Sequence, residues 1–247
     1  MRQRFGAAPQ RPVSAVPRAA KIVLAAALAL QVAWHAAAPR PVATASSLEI
    51  PPPTAWLRAL SFGEPIALSA LLVLYLQAFD NQPGLSIPFK DLDYDAVQAW
   101  LERALELDPN GQYPLLMASH VYAQVPAPLK QRQMLEFVHR QFLKDPERRW
   151  RWLAHAAITA KHQLKDTPLA LRYADDIARH ARSADAWARQ MRIFILEDMG
   201  EREAATILLG GLLAGGEVTD AAEIRFLAER LERLENVEKS STPSEFR

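Results

Sequence analysis

The chain has 247 residues, half of them apolar, with nine glycines, no cysteine and a net charge of +1. That supplies one real core with appendages, in a composition that favours helix over sheet, and it excludes disulfides, thiolate metal sites and a cysteine nucleophile. Residues 1–48 carry six basic side chains and no acid, which leaves 23 basic against 28 acidic residues in the remainder; a body of that sign argues against nucleic acid.

Residues 1–21 are basic and contain Pro9, Pro12 and Pro17, so they read as a disordered cytoplasmic lead. From Ile22 to Ala38 no residue is charged. A helix of that length spans roughly 26 Å, slightly short of a hydrocarbon core, and Ala19 and Ala20 extend it while Lys21 snorkels. Trp34 near the far end suits a membrane interface. One reading is a permanent transmembrane anchor over 22–38. The other is a signal peptide cleaved after Ala43-Thr44-Ala45. Both export the body, because the positive charges lie on the N-terminal side. Residues 39–60, with Pro39, Pro41 and Pro51-Pro52-Pro53, read as an extended linker.

Ser61 and Glu64 have the spacing of a capping box, with Pro65 at a first helical turn. Twelve of the fourteen residues from Ile66 to Phe79 are apolar. The run is too short to cross a bilayer and predicts a helix buried nearly all round. Asn81-Gln-Pro-Gly84 ends it.

Self-similarity follows. Trp152 and Trp187 stand 35 residues apart, and at the same offset Tyr173, Ala174, Ile177 and Ala178 match Leu208, Leu209, Leu212 and Leu213. These positions form one helical stripe per unit. The units are helix pairs: 148–164 with 168–181, then 184–199 with 201–214. Earlier, Tyr94 to Asn110 ends in Ala104-Leu105 followed by Pro109, and Leu143-Lys144-Asp145-Pro146 repeats the Asp-Pro stop, where proline cannot continue a helix.

Tyr94–Asn110 resembles the second helix of a tetratricopeptide repeat. The resemblance covers 61–216 as about four degenerate helix pairs: 61–110, 111–147, 148–182 and 183–216. The family's usual first-helix Trp, Leu-Gly and Tyr pattern is not clean in any unit. The resemblance implies an all-α, right-handed solenoid of antiparallel helix pairs that presents a groove to a protein or peptide. Some members clamp a partner's C-terminal carboxylate with repeated asparagines. The asparagines here are Asn81, Asn110 and Asn236, in loops or the tail region, so that activity does not carry over.

Residues 217–237 read as a capping helix. Asp220 and Glu223 have capping-box spacing, and Ile224, Leu227, Leu231 and Leu234 form a brief seam that either closes the solenoid or pairs two chains. Residues 238–247 read as a disordered tail.

No Gly-rich phosphate loop and no nucleophile elbow is present. His155 and His162 are seven apart, too far for an ordinary helical zinc pair. We therefore expect no catalytic, cofactor or metal site. The cluster Arg148, Arg149, Trp150 and Arg151, with His155 one turn on, is the candidate partner-binding patch, since Arg and Trp are enriched at interface hot spots. The same cluster also reads as a solvated helix start with buried tryptophans. The expectation is a scaffold or assembly factor at a bacterial-type inner membrane. Its repeat domain is periplasmic, its partner is a protein or peptide, and a monomer is favoured. The rival is a helical-array enzyme of envelope carbohydrate metabolism, which needs an acidic pair facing one cavity.

Overall fold

The computed structural model describes residues 16–37, 45–216 and 218–241, with backbone alone from 237 on. The lead up to residue 15, most of the 39–45 stretch with its cleavage sequence, and the last six residues lie outside that set. Among the described residues there are eleven α-helices and two two-residue strands.

Residues 1–44 and 45–247 form two separate units. In the first, α1 (Arg18–Ala37) has 20 residues, all exposed, and is long and apolar enough to cross a membrane. Its start at Arg18 lengthens the expected 22–38 segment to about 30 Å, the thickness of a hydrocarbon core.

The second unit is all-α apart from one tiny hairpin. Its helices are α2 (Thr54–Leu60), α3 (Pro65–Ala78), α4 (Tyr94–Leu107), α5 (Tyr113–His120), α6 (Pro128–Lys144), α7 (Pro146–His162), α8 (Thr167–His180), α9 (Ala186–Met199), α10 (Arg202–Ala214) and α11 (Ala221–Ser241). From α3 to α10 they fall two to each predicted window. Each packs on the next, and α4 also touches α6, as α5 touches α7. The stops are those of the sequence. α4 ends before Pro109, and the single residue Asp145 separates α6 from Pro146 at the start of α7. Asp93 accepts hydrogen bonds from the backbone N–H groups of Asp95 and Ala96, capping α4. Gly200 takes the left-handed conformation that closes α9 (φ 82°).

One continuous core runs from Leu48 through α3–α9. Alanines at 154, 156, 157 and 160 of α7 and at 170 and 174 of α8 are fully buried. Small side chains on both faces let these two helices meet closely. A second cluster, around Ile193, Leu209 and Leu227, holds α9, α10 and α11 together.

Three expectations are corrected. The predicted linker is part of the fold from Ala45 on. Leu48 and Pro51 are buried, and the carbonyls of Glu49 and Pro52 accept from Trp100 Nε1 (2.8 Å) and Arg103 Nε (3.3 Å). The prolines hold an extended strip that lies along α4, whose side chains satisfy its carbonyls. The Ser61–Glu64 capping box does not form, because Ser61 belongs to the end of α2 and donates to Arg58 O (2.7 Å). The chain then turns through Phe62 (φ 49°) and Gly63 (φ 92°). Finally, α3 is buried on one side only, at Ser69, Leu72, Val73 and Leu76. The long loop after it contains the unexpected hairpin of β1 (Asn81–Gln82) and β2 (Leu85–Ser86), turned by Gly84 at φ 78°.

Candidate functional site

The first turns of α7 carry the Arg/Trp cluster. Five consecutive residues, 148–152, cover more than one helical turn, so they must point all round the axis. Arg149 and Trp150 point inward. Arg149 is 4% exposed, and its guanidinium donates to Gln141 O (2.7 Å) and Pro109 O (2.9 Å). It thereby satisfies carbonyls at the C-terminal ends of α4 and α6, where a cation suits the helix dipoles. Burial pulls its pKa down, and the nearby Asp145 opposes that shift. Trp150 belongs to the core and meets Trp187 of α9 edge-on at 5.8 Å between centroids.

Arg148, Arg151 and part of Trp152 point outward. Arg148 pairs with Asp145 (Nε to Oδ2 2.6 Å), and Arg151 lies over the Trp150 ring at 5.1 Å. Trp152 Nε1 donates to Gln112 Oε1 (2.6 Å), which ties α7 to the start of α5. Trp187, half exposed, extends the row onto α9. A cavity of about 350 Å³ opens among Gln112, Arg148, Arg151, Trp152, Ser183 and Asp185. Glu147 at its edge accepts from the backbone N–H groups of Arg182 and Ser183 (3.0 and 2.8 Å). The Ser183 side chain, then those backbone bonds, hold its carboxyl below the usual range, and the backbone bonds fix the α8–α9 turn.

His155 continues the face one turn along. Its ring stacks on that of His120 at 3.6 Å, and His120 in turn meets Trp152 edge-on. Burial, then the neighbouring His120, push the His155 pKa down to about 4, and burial also lowers that of His120. His155 Nδ1 is buried with no hydrogen-bond partner. His120 was not singled out from sequence. The signal was available, since His120 and His155 are separated by the same 35 residues as Trp152 and Trp187.

Of the five predicted residues, then, Arg148, Arg151 and His155 reach this face, while Arg149 and Trp150 support it from within. Its other members are Gln112, His120, Trp152 and Trp187.

On the other side of Arg148 is a cleft of about 450 Å³ to which Glu102, Glu106 and Asp145 contribute carboxylates. Each is engaged: Glu102 with Lys144 (3.2 Å), Glu106 with Arg103 (2.9 Å) and with Thr54, and Asp145 with Arg148. Among the described residues no group of three metal-ligating side chains comes together. No family model, curated protein or solved structure matches the chain.

Proposed function

We propose that the chain is a non-enzymatic scaffold or assembly factor. In this reading α1 tethers it to the inner membrane with the N-terminus in the cytoplasm. The helical domain is exported and holds a protein or peptide partner against the α5–α7 face. The basic lead before α1 supports the orientation, because cytoplasmic flanks are rich in Lys and Arg. Sequential packing of α3–α10 supports a right-handed, tetratricopeptide-like solenoid of four degenerate pairs, with α11 as its cap. Cleavage of the N-terminal segment would give the same domain as a free periplasmic protein.

The observation that carries the reading is the row of arginine and tryptophan side chains at the 350 Å³ cavity: exposed Arg148 and Arg151 and half-buried Trp152 line it, and half-exposed Trp187 adjoins them through Trp150. Arginine and tryptophan are enriched among the side chains that carry binding energy at interfaces, and a cavity beside them suits a helix or peptide. The acidic cleft supports an enzyme less well, because every carboxylate in it already has a basic partner. The test is a crosslinking pull-down from native membranes with the full chain and with Arg151→Glu/Trp187→Ala. Both positions are exposed, so the variant should melt like the parent and lose the protein that the parent retains. Equal retention by both chains would refute the assignment.

A further inference from the structure

Helix α3 has two apolar sides and a core on only one of them. The residues opposite its buried stripe are Ile66, Ala67, Ala70, Leu71, Leu74, Tyr75 and Ala78, an unbroken half-circumference at helical spacing. Every one of them is exposed, and the strip is about 20 Å long. The preceding turn adds Phe62, 94% exposed and held in left-handed backbone, and α2 adds exposed Trp56 and Leu60. A bulky residue at positive φ costs strain that solvent exposure does nothing to offset. Between Arg58 and Asp80 the one charged residue is Glu64. Continuous apolar surface of this kind marks an interaction site.

We infer that this α2–α3 corner docks on the lipid bilayer, with Phe62 as an inserted wedge and the outer side of α3 lying in the interface. This rests on the membrane-anchor reading of α1. The argument for lipid over protein is the tether. Seven residues, 38–44, separate the end of α1 from Ala45, the first described residue of the domain, a reach of at most about 29 Å. The α2–α3 corner is the first helical structure after that tether. Its exposed Trp56 and Tyr75 are the aromatic types that sit at headgroup depth, and with Arg58 as its one basic residue it calls for apolar insertion rather than attraction to anionic lipid. Arg58, the nearest cation, is turned to the Glu106 carbonyl (3.2 Å).

The native chain has no cysteine, so single labels are unique. Full-length Phe62→Cys, Leu71→Cys, Leu28→Cys and, on the α9–α10 turn, Glu201→Cys would each carry an environment-sensitive fluorophore in phosphatidylcholine vesicles. Nitroxide-labelled acyl chains should quench the labels at 28, 62 and 71. Aqueous iodide should quench the label at 201 alone. Lipid quenching at 28 with iodide quenching at 62 and 71 would overturn the docking and leave the anchor intact. Labels at 62 and 71 shielded from both quenchers would mean that a protein, a second copy included, covers the corner. Lipid quenching at 201 equal to that at 62 would mean non-specific adsorption. No lipid quenching at 28 would remove the anchor and this inference with it.

Discussion

Trp150 and Trp187 share a contact but not an environment. Trp150 is 5% exposed and Trp187 is 49% exposed. Truncating a buried tryptophan costs about 3–5 kcal/mol, so Trp150→Ala should melt far below the parent, while Trp187→Ala should stay close to it. Thermal unfolding of the two variants checks this order. The sequence points to Trp152 and Trp187 through their 35-residue spacing, but the most buried tryptophan of the cluster is Trp150. Residue type and period are legible along one chain. The rotational phase of α7 is not, because it is set by the alanine face that α8 meets. The His120–His155 pair makes a pH prediction. The ordinary histidine pKa is 6.5, and that of folded His155 is about 4. The unfolded chain therefore takes up a proton that the folded one refuses, and stability falls as pH drops through that window. His155→Gln should flatten the decline in denaturant midpoint between neutral pH and the lower end of the window. An equally steep decline would assign it to other groups.

At the scale of elements, the helix ends were the most readable part. The Asp-Pro stop at 145–146, the break before Pro109 and the Gly200 cap are written in backbone chemistry that neighbours do not alter. What could not be read was how elements are shared. Ser61 and Glu64 have capping spacing, but a short α2 claims Ser61, and the proline strip 51–53 is recruited by Trp100 and Arg103 some fifty residues away. The same spacing at Asp220 is half realised. Asp220 Oδ1 accepts from the backbone N–H groups of Ala222 and Glu223 (2.9 and 2.8 Å), while the Glu223 side chain turns to Gln190. Leu227 of α11 is fully buried against α9–α10, and Arg230 pairs with Glu197 (2.7 Å). Removing residues 218–247 should therefore expose Leu209 and Ile193 and leave a body that aggregates or unfolds, read by light scattering and melting. A stable, soluble monomer from a dimeric parent would instead make α11 a pairing helix. Leu227→Ala should cost about 2–5 kcal/mol in the full chain.

The whole molecule is an apolar helix joined to a helical domain whose exposed faces differ in chemistry. The α5–α7 face is aromatic and basic, and the outer side of α3 is apolar. The N-terminal basic residues predict that a reporter fused after Arg247 is active only if it works outside the cytoplasm; activity of a cytoplasm-only reporter there would reverse the topology. The central claim, that the α5–α7 face holds a partner protein, is tested most directly by site-specific photocrosslinking in native membranes. A photoreactive residue at Arg151 is compared with one at Arg179, an exposed position on α8. The account predicts a discrete adduct from position 151 that is absent from 179 and disappears when Trp187→Ala is added. No adduct at 151, or the same adducts from both positions, would contradict it.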